Sequence, residues 1–388
     1  MNPPNPREAP AAAVPLRIRH VDSLRAVAAG LVIWFHFDQT LYPLAAPGPA
    51  FFGFLHTLPH VIDMGRFGVM MFFAVSGFVI YRSFDGPRAG GARRFLVRRF
   101  CRLYPAFWVS LLGGLLAWRL NGEIWTWTQL AANTAMVPGW LGQRHLLGVY
   151  WTLEIELLFY GACLALYLAR SLERRWLLAA LVVALAGLPR LLRLIDHQAG
   201  THLQLALGKP TLLLSLAVMF WGALFRRAYD ETGGFRRSVW RCPGTWSVAA
   251  LAQALVDLPD PNVKWFLLGR WHGPWPGHLA VLAALLVFTV WVAALRVDQP
   301  VLTYLGVISY SLYLFHPVTK YAAAALLSSN AAVQGWGLPW WVYLGAGAAV
   351  TTGLAMAVYR WVERPAIALG KRWAGSRPGQ EAPGRANG

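Results

Sequence analysis

The chain of 388 residues is 57% hydrophobic and only 13% charged, about half the charged share of soluble domains, so it cannot cover a water-exposed surface with polar groups. Its formal net charge of +18 would suggest nucleic acid in a soluble protein. Here Lys and Arg collect between apolar stretches of bilayer length, so no nucleic acid partner is expected. Cys101, Cys163 and Cys242 show no CxxC or CxxH spacing, which argues against a disulfide framework, and no metal site is expected.

Residues 1–19, rich in Pro and Ala, lack the basic start and short apolar run of a cleaved signal and are expected to be a disordered cytoplasmic segment. Apolar runs predict spans over 21–43, 61–82, 103–120, 149–169, 176–194, 210–226, 244–258, 277–295, 301–327 and 340–362, of which 244–258 is short enough to be re-entrant. The stretch WTWTQLAANTAMV (125–137) is too short and polar to cross and is placed at an interface, while 367–388 is expected to be a disordered cytoplasmic tail. The expected fold is therefore an all-α integral membrane protein of about ten transmembrane helices over residues 20–366. Alternating the spans from a cytosolic N-terminus puts 25 Lys and Arg inside and seven outside, with Arg25, Arg66 and Lys320 in or at the edge of spans. That bias predicts an N-in, C-in orientation and accounts for the basic balance.

Few residues in the spans carry chemistry. In DSLRAVAAGLVIWFHFD, Arg25 and His36 are eleven positions apart, three turns plus about 20°, so they share one helix face with a rise of about 16.5 Å between them. A snorkelling arginine and a hydrogen-bonded histidine would be the plain explanation; ionisable groups inside a membrane more often mark function. Ser76-Gly77 interrupts a bulky second span, either as a packing notch or as a point where a substrate reaches hydroxyl and backbone. RRFLVRRFCRLYP (93–105) places Arg98 and Arg102 one turn apart, and such a run serves topology and anionic lipid or clamps a phosphorylated cytosolic donor. Glu154 and Glu156 open the fourth span, the second of them deeper, where an acid must be paired, protonated or facing a cavity. His316-Pro317 fits a polar contact at a helix kink, and Glu363–Arg364 fits an ordinary ion pair at the inner end of the last span.

In order, LRAVAAGLVIWFH, GVMMFFAVSGFVI, RRFLVRRFCRLYP, WTLEIELLFY, SYSLYLFHP and VERP resemble the motifs of the membrane acyltransferase-3 family, over roughly residues 20–366. The family's arginine–ten residues–histidine signature falls on Arg25 and His36. The acid of its tryptophan-led motif falls on Glu156, with Thr152 where serine is usual. The resemblance implies a single-domain, multi-pass enzyme of the inner (cytoplasmic) membrane, without an added hydrolase domain. It implies transfer of an acyl group, usually acetyl, from acyl-CoA to a hydroxyl of a carbohydrate or lipid-linked glycan, with acetyl-CoA as co-substrate and no permanently bound cofactor. It also implies His36 as general base or acyl carrier, Arg25 as donor-orienting or oxyanion-stabilising group, and Glu156 as a catalytic partner, with Asp38 a poorer one. Arg98, Arg102, Ser76 and Tyr310 would hold the donor. A proton-coupled carrier or flippase for a glycan-related substrate and a non-catalytic scaffold in an export complex are the competing expectations; the chain shows no inverted repeat to support the carrier.

Overall fold

The computed structural model describes residues 18–44, 50–84, 89–120, 122–199, 210–231, 275–329 and 338–375. The predicted span 244–258 lies outside them, as do most of the two terminal segments. Among the described residues the protein is all helical, with no β-strand. In chain order the helices are α1 (Arg19–Leu41), α2 (Ala50–Val61), α3 (Met64–Ile80), α4 (Gly91–Leu120), α5 (Trp127–Thr134), α6 (Trp151–Leu168), α7 (Arg175–Ala199), α8 (Pro210–Glu231), α9 (Trp275–Val290), α10 (Pro300–Val307), α11 (Ser309–Ser329), α12 (Trp340–Val358) and α13 (Arg364–Trp373). Among the described residues, five helical stretches are long and apolar enough to cross a membrane: Met64–Phe84, Gly91–Arg119, Gly148–Leu168, Thr211–Glu231 and Trp340–Trp373. A sixth is added if α10 and α11 count as one span. Helix α1 has the length but not the hydropathy, because Arg25, His36, Asp38 and Gln39 dilute its apolar run.

Helix α1 lies at the centre and packs on α3, α10, α11 and α12. It buries Leu24, Ala28 and Val32 in the main core and Ala29, Ile33, Phe37 and Leu41 in a second cluster shared with α11 and α12. The three- and four-residue spacings of these side chains keep them on adjoining stripes. Close approach between helices depends on glycine. A Cβ at Gly77 would lie 1.8 Å from the Met219 carbonyl oxygen, and one at Gly222 would lie 2.3 Å from that of Ala74. Helices α3 and α8 therefore cross backbone to backbone, as small-residue contacts allow. Gly77→Ala is expected to destabilise the protein by about 1–3 kcal/mol or more, read as a lowered unfolding midpoint in detergent.

Several expectations need correction. The predicted span 301–327 is broken: α10 and α11 meet at Ile308 with a 70° bend. The predicted span 103–120 begins earlier, because the arginine run before 103 forms the first turns of α4, whose 30 residues extend about 45 Å, longer than a hydrocarbon core of about 30 Å. Residues past 366 continue as α13, which seats Gly370 against Cys101, so helical order extends beyond the boundary expected at 367. The 125–137 stretch holds the short helix α5, closed by a capping box between Thr126 and Gln129. Helix α2 had no predicted counterpart.

Candidate active site

A cavity of about 720 Å³ opens between α1, α3, α4, α6, α8, α11 and the helical turns from Tyr359 to Lys371. Its wall holds seven cations (Arg25, Arg82, Arg99, Arg102, Arg226, Arg364 and Lys371) against three acids (Asp22, Glu156 and Glu363). Such an excess of guanidinium and ammonium groups suits a ligand carrying several phosphates. Part of the excess is internally paired. Arg82 and Arg226 both hold Asp230, at 2.8 and 2.9 Å, and Arg99 bonds Ser83 Oγ while lying over the Phe95 and Tyr160 rings. Arg25 and Arg102 interact electrostatically with the same two carboxylates, Glu156 and Glu363.

The acids are held in place by hydroxyls. Ser76 Oγ donates to Glu156 Oε1 at 3.2 Å, and Tyr160 donates to the same oxygen. Ser311 Oγ donates to Glu363 Oε2 at 2.8 Å. Glu363 is buried and lines the cavity, so the expected surface ion pair with its neighbour Arg364 gives way to an interior anchor between two arginines. Ser76 and Gly77 divide the two roles open to them: the glycine makes the helix contact and the serine faces the cavity. Tyr310 also faces the cavity, with its hydroxyl donating to the Leu103 carbonyl at 2.8 Å. Thr152, the departure from the family motif, bonds the Tyr313 hydroxyl at 3.0 Å, a contact that serine's hydroxyl would also make.

The arginine patch is shifted by one residue from expectation. Arg99, Arg102 and Leu103 line the cavity, whereas Arg98 is exposed and stays out of the lining. Successive residues are 100° apart on a helix, so the stripe that turns Arg99 inward leaves Arg98 on the shoulder of α4.

His36 lies off the cavity wall. Its Nδ1 is 2.9 Å from the Val32 carbonyl oxygen. A carbonyl only accepts, so Nδ1 carries the proton and Nε2 keeps its lone pair. Neither acid considered for orienting the ring does so: Glu156 is bound by Ser76 and Tyr160, and Asp38 by His56 and His60. The backbone of α1 performs that task. Opposite stands His316, fully buried, with its ring centroid 5.1 Å from that of His36. His316 Nδ1 is 2.8 Å from the Tyr313 carbonyl, and by the same argument its Nε2 also bears the lone pair; that atom is buried without a partner. Two imidazoles thus offer basic nitrogens side by side. Tyr313 links the two regions, because its ring lines the cavity, meets Phe72 edge-on at 5.7 Å and stands 5.6 Å from the His316 ring. Sequence reasoning missed Arg99, Glu363 and His316 as site residues, although the RRFLVRRFCRLYP, VERP and SYSLYLFHP motifs contain them.

Most of the chain is similar to known proteins. Residues 18–360 match the acyltransferase domain of the acyltransferase-3 family. Nodulation protein 10 of Rhizobium leguminosarum bv. viciae is 26% identical over 380 residues, covering 90% of this chain and 93% of its own. Acyltransferase MdmB of Streptomyces mycarofaciens is 26% identical over 284 residues, covering 67% and 69%. Exopolysaccharide production protein ExoZ of Rhizobium meliloti (strain 1021) is 24% identical over 325 residues, covering 80% and 92%. No solved structure matches the chain. A domain match spanning most of the sequence, joined to a multi-pass helical fold, decides for an enzyme over a carrier or scaffold: the chain belongs to the acyltransferase-3 family and is a membrane acyltransferase.

Proposed function

We propose that the chain transfers an acyl group, acetyl foremost, from acyl-CoA to a hydroxyl of a carbohydrate or glycosylated acceptor. The cation-rich cavity carries this reading, because it combines charge for a multiply phosphorylated donor with a wall that reaches Arg25 on the helix bearing His36. The relatives agree in part, since MdmB is an acyltransferase by name and ExoZ an exopolysaccharide production protein. The donor phosphates would lie on Arg99, Arg102 and Lys371, and the thioester would point toward Arg25. The acceptor hydroxyl gives its proton to His36 Nε2 as its oxygen attacks the thioester carbon. Arg25, about 16.5 Å from His36 along α1, orients the donor as its thioester passes toward His36. Collapse breaks the carbon–sulfur bond, and the proton on His36 passes to the departing thiolate. Acyl-CoA is thus a co-substrate rather than a resident cofactor. Transfer also requires the Phe72–Tyr313 pair to part, since His36 stands beyond the cavity wall.

The same reading places the protein in the cytoplasmic membrane with about ten spans and both termini in the cytosol, among membrane lipids. Its support is the 25-to-seven distribution of Lys and Arg. The cations at the cavity would then face the compartment that makes acyl-CoA. Binding of CoA to the purified protein tests the donor site: CoA is expected to raise the unfolding midpoint, and acetyl-pantetheine, which lacks the adenosine phosphates, is expected to do so far less. Equal effects of the two would remove the phosphate role from the cavity.

A further inference from the structure

At the far end of α1 from Arg25, three side chains unconnected with the cavity converge. Asp38 is fully buried, and no lysine or arginine among the described residues hydrogen-bonds to it. Its carboxylate instead meets two histidines of α2. His56 Nδ1 stands 3.1 Å from Oδ1 and 2.9 Å from Oδ2, and His60 Nε2 stands 2.8 Å from Oδ2. His56 and His60 are one helical turn apart and so present to one side. One ligand atom from each of the three residues falls within 4.8 Å of the others.

We propose that Asp38, His56 and His60 form a divalent transition-metal site, with zinc the favoured ion. Two imidazole nitrogens and one carboxylate oxygen make a donor set that suits zinc, and three protein ligands leave a fourth position open to water or a substrate oxygen. Metal–ligand bonds of about 2.0–2.2 Å at tetrahedral angles put ligand atoms a little over 3 Å apart; the 2.8–3.1 Å separations between the imidazole nitrogens and the Asp38 carboxylate would open slightly around an ion, and the two imidazole nitrogens already lie within 4.8 Å of each other. Without an ion the buried carboxylate rests on the two histidines alone; a bound cation would compensate it directly. The site has an access route, because the His56 and His60 side chains are 28% and 35% exposed while Asp38 is 0% exposed. The ligand rings are also held. Tyr42 stacks on His56 with centroids 3.4 Å apart, and buried Trp340 flanks both rings. An ion here would pin α2 to α1 two residues beyond His36, with Phe35 in van der Waals range of both His36 and His60.

Full-length protein in detergent, with any affinity tag removed and metal stripped by chelation, is titrated with Co(II) and followed by visible absorption. A saturable tetrahedral Co(II) spectrum at on the order of one ion per chain, displaced by Zn(II), is expected. The signal should vanish in Asp38→Asn and in His60→Ala and persist in His316→Gln. No saturable signal in the wild-type chain overturns the proposal without reference to any variant that fails to fold. A signal that survives both Asp38→Asn and His60→Ala overturns it as well, by moving the ion elsewhere.

Discussion

Arg102→Ala is expected to raise the KM for acyl-CoA by roughly 10- to 100-fold with a smaller change in kcat. The estimate follows from losing a charge-assisted contact worth about 1.5–3 kcal/mol. Arg102 lines the cavity and interacts with Glu363 and Glu156, so its removal also leaves buried acid uncompensated. Arg102→Lys separates the two effects, because it keeps the charge while giving up the planar fork. Arg98→Ala is the contrasting substitution. Arg98 is exposed and absent from the cavity wall, so its loss should leave KM near the wild-type value. Donor affinity in the wild type should weaken as salt rises, and that dependence should flatten in Arg102→Ala. Steady-state kinetics at two ionic strengths reads all of this. Equal KM effects at 98 and 102 would mean that the arginines of α4 act through their summed field rather than through the cavity.

His36→Ala is expected to lower kcat by about 10²–10⁴, the usual contribution of a positioned general base. The fold should survive, because the imidazole's hydrogen bond is to the carbonyl of Val32 in its own helix. KM for the donor should change little, since His36 does not line the cavity. His36→Gln keeps a polar group without a basic nitrogen and should be as inactive. If His36 instead carries the acyl group, rapid quenching of wild-type enzyme with labelled acetyl-CoA and no acceptor would leave label on the protein. A general base leaves none.

Much of this site was legible in the sequence because a membrane makes charge conspicuous. Arg25, His36 and Glu156 stand out in apolar runs, and the structure sets two of them on the cavity wall, with His36 just beyond it. Other features were hidden for physical reasons. Arg98 and Arg99 are adjacent in a run of five arginines between 93 and 102, and only the phase of α4 against its neighbours decides which one turns inward. Glu363 has Arg364 beside it, so a local ion pair seemed sufficient; its true partner Ser311 is 52 residues away. The bend at Ile308 interrupts no apolar pattern, because the two sides together are apolar enough to read as one span. The Asp38–His56–His60 cluster depends on α2, a helix with no predicted counterpart, folding back across 18 to 22 residues. The ten proposed spans rest on apolar run length and the cytosolic termini on the charge bias, and among the described residues five apolar helices and the bent pair are long enough to cross.

Cleavage of acetyl-CoA by the purified protein, followed as release of the free thiol, tests the central claim most directly. Wild-type protein is expected to consume thioester faster than background hydrolysis, more so with a hydroxyl-rich glycan present, and His36→Ala is expected to return the rate to background. Thioester loss that equals background in the wild type and does not change in His36→Ala would contradict an acyl-CoA-dependent transfer centred on His36.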